Sequence, residues 1–139
     1  MSFPVSCREL KRLFKGATPP DITEFKGEYL VDMLTVWPSF KRFSHKKVIY
    51  RKNDGVLGYN VLFNRVWGHF AVREGVCSDV DSVRVAVIDY NRVENSFPFR
   101  GIRDYVRCVE KNELFIGRFY YSFAKRKQFL GYFSLEKIA

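Results

Sequence analysis

The segment GIRDYVRCVE carries the densest set of polar side chains in this sequence. In a strand, alternation places Asp104 on a largely apolar face and places Arg103 and Arg107 on the opposite face. A carboxylate on an apolar face must be paired or protonated, because an isolated buried charge is very costly. We expect Arg84 to be its partner, making Asp104 a structural ion pair, a polar anchor or an acid with a raised pKa. If the two arginines face the interior instead, they would suit an anionic head group.

Two further segments, GYNVLF and VWGHF, combine aromatic side chains with a histidine. Alternation puts Tyr59 on one strand face and predicts that Trp67 and His69 share a face of the next strand. His69 could act as a base, a haem or metal ligand, or an ordinary hydrogen-bonded residue, which is the reading we favour. A metal site needs several ligands at suitable spacing, and His45 is the only other histidine. We therefore expect neither a metal nor a cofactor.

Signatures of catalysis are scarce in the sequence. It contains no glycine-rich phosphate loop, no Gly-x-Ser-x-Gly motif and no cysteine near a histidine. Cys7, Cys77 and Cys108 are odd in number and widely spaced, which is typical of reduced thiols. The sequence leaves enzyme activity open but favours binding without catalysis.

One helix is predicted at the start of the chain. Ser6 and Glu9 have the spacing of a capping box, and Gly16 suits a helix end, so the helix should span about 6–16. Its cations, including Arg8 and Lys11, fall opposite its apolar residues. We expect an ordinary packed helix with a solvated basic face, with contact to an anionic membrane or partner surface as the alternative.

The rest of the chain has the pattern of an all-β fold. After a proline-rich connector at 17–26, apolar residues recur with period two, and short polar breaks separate the apolar runs. The predicted strands are 27–36, 46–51, 56–63, 66–72, 82–89, 102–110, 113–123 and 129–137. Short links predict a single-domain, eight-stranded antiparallel meander closed into a barrel over 27–138. The longer segments 37–45 and 90–101 should be loops at its mouth.

The last two predicted strands are largely apolar on both faces. On one of them Phe115 and Phe119 alternate with Ile116 and Tyr120, and on the other Phe129 and Phe133 share a face. Such strands need cover on both sides, which fits an aromatic interior and an outer wall covered by the helix or by a second copy of the protein.

The architecture resembles that of the calycins, which include lipocalins and fatty-acid-binding proteins. The resemblance is carried by the element order, by Gly27-Glu28-Tyr29 at the first strand and by Arg118-Phe119-Tyr120, which is similar to a carboxylate-holding Arg-x-Tyr. The lipocalin Gly-x-Trp is absent, since Tyr29 stands at its third position, and the Arg-x-Tyr lies one strand too early. The resemblance implies a cavity for an apolar or amphipathic molecule, with Arg118 and Tyr120 near an acidic group.

The composition of the chain limits the classes of partner that the protein is expected to bind. The 139 residues carry 24 basic and 15 acidic side chains, a net charge of +9, and 17% are aromatic. The chain is too apolar for disorder, has no run of ~18 apolar residues and begins unlike a signal peptide, so we expect a cytoplasmic protein. Basic residues and aromatics together suit either nucleic acid or a cavity with a positive rim. The basic clusters at 8–15, 41–47 and 125–127 fall on a helix, a loop and a turn, which disfavours nucleic acid.

We therefore predict a small β-barrel that binds an apolar or aromatic molecule with an acidic group. The alternatives are an isomerase, cyclase or decarboxylase on the same barrel, with Asp104 or His69 as acid or base, and a nucleic-acid-binding domain. A homodimer remains open. The predicted ligand-binding residues are Tyr29, Tyr59, Trp67, His69, Asp104, Arg118 and Tyr120.

Overall fold

A computed structural model describes residues 3–4, 6–35, 44–53 and 55–139. Eight antiparallel strands follow one another around a closed barrel, with β1 also paired to β8, which confirms the predicted all-β meander with one N-terminal helix. The helix α1 is Cys7–Gly16. The strands are β1 (Gly27–Met33), β2 (Ser44–Lys52), β3 (Gly55–Leu62), β4 (Arg65–Val76), β5 (Arg84–Asp89), β6 (Ile102–Glu110), β7 (Leu114–Phe123) and β8 (Arg126–Lys137).

Local signals account for α1. The Ser6 side chain accepts a hydrogen bond of 3.1 Å from the Glu9 amide, which satisfies one free donor of the first turn. Leu10 and Phe14 are fully buried, whereas the cations of the helix are exposed. No helix in the described part of the chain is long and apolar enough to span a membrane.

Tight turns link several strands. Phe63 and Asn64 between β3 and β4, and Ala124 and Lys125 between β7 and β8, have φ values between 49° and 65°. Two successive residues in this region make the turn type whose twist matches that of the strands it joins. The tip expected at 124–128 is therefore only two residues long. Of the loop expected at 37–45, residues 37–43 lie outside the described residues, and the rest belongs to β2.

The two ends of the barrel differ. We call the end that carries the β3–β4, β5–β6 and β7–β8 connections the open end, and the opposite one the closed end. The rings of Phe25, Tyr29 and Phe115 fill the closed end, with centroids 5.0 to 5.8 Å apart. Thr18 and Cys108 exchange backbone hydrogen bonds of 2.9 and 2.6 Å, which tie the connector to the barrel there.

A bulge in β4 decides which side chains face the lumen. Tyr59 pairs with His69 and Asn60 pairs with Trp67, so Gly68 is an extra residue, and its φ of 66° is typical of a glycine bulge. Trp67 consequently lines the lumen, whereas the His69 ring lies 6.3 Å from that of Tyr59 on the outer face. The prediction that Trp67 and His69 share a face was wrong, because strict alternation fails at a bulge.

A second bulge has the same effect in β8. Phe119 pairs with Gly131 and Tyr120 pairs with Phe129, which leaves Leu130 as the extra residue. Phe129 therefore packs with the outer cluster rather than sharing a face with Phe133, as alternation had predicted.

The outer cluster lies between α1 and the outer wall. It is an apolar layer with two buried arginines, and its fully buried or nearly buried apolar members are Leu10, Phe14, Cys77, Val85, Val87, Ile116, Tyr120 and Tyr132. The expectation that the helix covers an apolar outer wall is thus met, and the buried aromatic side chains of the described residues divide between two cores.

Candidate functional site

A cavity of about 400 Å³ occupies the lumen toward the open end. Six apolar and four polar side chains line it: Val31, Met33, His45, Lys47, Trp67, Tyr90, Ile102, Asp104, Phe119 and Phe133. The volume is in the range of small-molecule pockets, which are mostly apolar with a few polar groups that fix orientation.

The polar groups form one buried cluster. Lys47 on β2 and Asp104 on β6 are 3% and 4% exposed, and the Lys47 Nζ lies 3.7 Å from the Asp104 Oδ2. Lys47 also donates to the Asn60 Oδ1 at 2.7 Å and to the Tyr90 hydroxyl. The Asn60 Nδ2 donates to the same hydroxyl at 3.0 Å. Four strands or strand ends thus hold one lysine and one carboxylate inside the barrel.

Burial shifts the pKa of each ionisable group in this cluster. Loss of water raises the pKa of Asp104 to about 6, although the Lys47 cation opposes the shift. It lowers the pKa of Lys47 to about 8, with Asp104 opposing. The pKa of Tyr90 rises well above 10 for the same reason and because of the Asp104 charge. Near neutral pH the cluster therefore holds a cation, an anion and a neutral phenol.

The neighbouring wall of the cavity is aromatic and uncharged. Burial, with a smaller contribution from Lys47, lowers the pKa of His45 to about 3, so its imidazole is neutral. The rings of His45 and Trp67 lie 5.6 Å apart. The Trp67 Nε1 is buried and has no hydrogen-bond acceptor within the described chain. A ligand oxygen that reached this nitrogen would satisfy a donor that now has none.

Asn95 fixes the loop that carries Tyr90. Its side chain accepts from the His69 amide at 2.7 Å and donates to the carbonyls of His69 and Tyr90, both at 2.6 Å. The Tyr90 amide donates to the Ile102 carbonyl at 3.2 Å. These bonds hold the β5–β6 connection against β4 and set the position of the Tyr90 hydroxyl.

Two of the predicted ligand-binding residues, Trp67 and Asp104, line the cavity. Tyr29 points into the closed end, where its hydroxyl donates to the Lys26 carbonyl at 2.9 Å. Tyr59 and His69 lie together on the outer face. The structure therefore brings together only part of the predicted set.

Arg118 and Tyr120 belong to the outer cluster and do not line the cavity. The Arg118 Nε donates to the Tyr120 hydroxyl at 2.8 Å, and its Nη2 lies 3.4 Å from the Asp79 Oδ2. The Arg118 guanidinium also lies 4.0 Å from the Phe129 ring centroid. This arginine holds outer-wall residues together, so the arginine and the tyrosine of the motif similar to a carboxylate-binding Arg-x-Tyr face away from the cavity.

The expected pairing of Asp104 with Arg84 was wrong. Asp104 does face the lumen, but Lys47 is its partner, and the Arg84 Nη1 lies 3.7 Å from Glu74 at the surface. Arg107 is fully buried on the outer side, where it binds Asp81 and donates to the Phe14 carbonyl at 3.2 Å. The face of β6 that lines the lumen is therefore the one that carries Asp104, and not the one that carries Arg103 and Arg107.

Sequence reasoning missed Lys47, His45, Asn60 and Tyr90. Lys47 falls in the predicted strand 46–51 but was counted with the basic cluster 41–47, and Tyr90 was placed at the start of the predicted loop 90–101. One signal was present. Lys47 and Ile49 are two residues apart in β2, so their side chains share a face of the strand, and Ile49 is a core residue.

Among the described residues, no group of three or more His, Cys, Asp or Glu side chains could hold a metal ion. Comparisons with protein-family models, curated proteins and solved structures give no match to this chain. The cavity and its polar cluster are therefore the basis for any functional argument.

Proposed function

We propose that the protein binds a small apolar or aromatic molecule with an acidic group in the barrel cavity. The observation that carries the proposal is a cavity of about 400 Å³ with a mostly apolar lining and one buried Lys47–Asp104 cluster. A buried ion pair is weak support for stability, since apolar side chains of similar volume often do as well. Its position on the wall of a cavity favours a role in recognition. The calycin resemblance, which implies an internal cavity for an apolar or amphipathic molecule, agrees with this choice of site.

Lys47 and Asp104 together suit an acidic group. A ligand carboxylate can pair with the Lys47 ammonium if Asp104 takes up a proton, since two adjacent carboxylates would repel each other. A pKa of about 6 makes this protonation inexpensive near neutral pH. The protonated Asp104 can then donate a hydrogen bond to the bound carboxylate.

Titration with a fluorescent fatty-acid analogue tests the proposal. We expect saturable binding of one probe per chain that persists at high salt, because the apolar contact is insensitive to screening. Met33→Trp should fill the cavity and abolish binding. Leu30→Trp is the matched control, because Leu30 lies on the same strand but is 39% exposed on the outer face. Absence of probe binding by the wild type, or equal loss in both variants, would contradict the proposal.

A second function is supported by the same carboxyl group. A carboxyl with a pKa of about 6 beside a lysine and a phenol can exchange protons with a bound substrate, as an isomerase, cyclase or decarboxylase requires. In that case Asp104→Asn should abolish turnover of a substrate while leaving apolar probes bound. Retained turnover in this variant would remove the catalytic role.

A further inference from the structure

We propose that the open end of the barrel is a docking surface for anionic phospholipid membranes. This inference stands on the outer surface and does not depend on what the cavity binds.

Exposed phenylalanines are concentrated at the open end. Phe63, Phe97, Phe99 and Phe123 are 85%, 71%, 44% and 63% exposed. They lie in the β3–β4 and β5–β6 connections and, for Phe123, at the end of β7 next to the β7–β8 turn, and the meander brings all three connections to one end of the barrel. No phenylalanine at the closed end is exposed among the described residues, where the exposed large apolar side chains are aliphatic, such as Val76 and Val83. Single exposed apolar residues are common, but four phenylalanines on three converging connections form a patch.

Phe63 is placed at a cost to the backbone. Its φ is 51°, a region that bulky side chains rarely adopt and that glycine or asparagine would occupy without strain. Neither folding nor solubility explains a bulky apolar residue at an exposed position of this kind. An apolar contact with a partner would explain both its type and its exposure.

Cations accompany these rings. Exposed Arg65 follows Phe63 by two residues, and exposed Lys125 and Arg126 follow Phe123. Each hairpin turn thus presents an apolar ring beside a positive charge, on a chain whose net charge is +9. Apolar side chains that enter the interface and cations that meet lipid phosphates are the two contributions that hold proteins on anionic membranes.

The geometry favours a lipid surface over a folded protein partner. The phenylalanines project from three separate turns around the cavity mouth, where Phe99 lies 6.1 Å from the lumen residue Trp67. Several protruding phenylalanines arranged around an opening fit a deformable lipid surface better than a rigid protein surface, which would have to be complementary in shape. Helix α1 has exposed cations, but Leu10 and Phe14 are buried, so among the described residues it lacks comparable apolar anchors.

Cosedimentation of the full chain with vesicles tests the inference. We expect binding to phosphatidylcholine vesicles that contain about 30% phosphatidylserine and weaker binding to pure phosphatidylcholine, with partial loss at high salt. The variant Phe63→Ser/Phe97→Ser/Phe123→Ser should reduce vesicle binding by about tenfold or more. The single variant Phe97→Glu, at a 71% exposed position, should also reduce it and guards against misfolding of the triple variant.

Two matched controls separate the open end from other surfaces. Val76→Ser/Val83→Ser removes exposed apolar groups at the closed end, and Arg8→Gln/Lys11→Gln removes helix cations; both should retain most of the binding. The inference is overturned if the wild type ignores anionic vesicles, if the phenylalanine variants bind equally well, or if only the helix variant loses binding. Preferential binding of single-stranded RNA over vesicles would likewise overturn it. An unchanged circular dichroism spectrum of the triple variant shows that its loss of vesicle binding comes from the removed rings and not from unfolding.

Discussion

Lys47 and Asp104 lie four strands apart in an eight-stranded barrel, on β2 and β6, and their charged atoms meet across the lumen at 3.7 Å. Neighbouring strands cannot account for this contact, because the two residues come from opposite walls. The pair therefore places two charges in the barrel interior, at a point where apolar side chains of similar volume could pack instead. This position next to a cavity connects the stability of the barrel to whatever the cavity binds.

Removing one partner of the pair should be costly. Lys47→Met leaves Asp104 buried without its cation, and we expect a loss of about 3–5 kcal/mol in the free energy of unfolding. The double variant Lys47→Met/Asp104→Leu should recover much of that loss, because no unpaired charge remains. Urea unfolding of the two single variants and the double variant measures the coupling. Additive losses would mean that the two side chains do not interact.

The pH dependence of stability should carry the signature of Asp104. Its pKa is raised from 3.8 to about 6 on folding, so the native state binds the proton more tightly than the unfolded state. The contribution of this group is fully present below about pH 4 and is lost as pH rises through about 6. The difference in stability between wild type and Asp104→Asn should therefore fall from about pH 4 to about pH 7, by up to about 3 kcal/mol. A difference that is flat with pH would contradict the raised pKa.

Binding of an acidic probe should depend on pH in the same direction. Above the Asp104 pKa, each carboxylate that binds must bring a proton with it, so affinity should fall by up to about tenfold for each rise of one pH unit. Above about pH 8, loss of the Lys47 charge should weaken binding further. The uncharged alcohol of the same probe serves as the control and should bind with little change between about pH 6 and about pH 8. Titration calorimetry in buffers of different ionisation enthalpy would count the protons taken up directly.

Arg118 should affect stability but not the cavity. It is 5% exposed and its fork of donors contacts the hydroxyls of Tyr120 and Tyr132 on the outer wall. Arg118→Lys cannot reproduce that fork, and we expect a loss of about 1–3 kcal/mol on unfolding. Affinity for the fluorescent fatty-acid analogue should stay within about twofold of wild type under conditions in which both proteins are fully folded. A selective loss of affinity would instead connect the outer cluster to the ligand.

Local patterns predicted the barrel, and long-range contacts decided its site. The capping residues of α1 and the period-two alternation gave the helix and all eight strands, because both signals are local. Gly68 and Leu130 interrupt that alternation as bulge residues, which is why Trp67, His69 and Phe129 were assigned to the wrong faces. Lys47 was missed for a different reason. A lysine is buried only when partners satisfy it, and two of its partners, Asp104 and Tyr90, come from β6 and the β5–β6 connection, which are distant in sequence.

The bulge at Gly68 can be tested by one small substitution. Alanine at a φ of 66° is strained, and its Cβ would lie 3.0 Å from the Asn60 Nδ2, which bonds to the Tyr90 hydroxyl. We expect Gly68→Ala to lower the free energy of unfolding by about 1–2 kcal/mol and to change the fluorescence of the adjacent Trp67. Gly16→Ala makes the same chemical change at the end of α1, where no atom lies within 4 Å of the added Cβ. That control should be neutral or stabilising by up to about 1 kcal/mol, because alanine favours helix. If the two variants have equal stability, the bulge does not depend on glycine, and the orientation of Trp67 toward the cavity must be fixed by its packing alone.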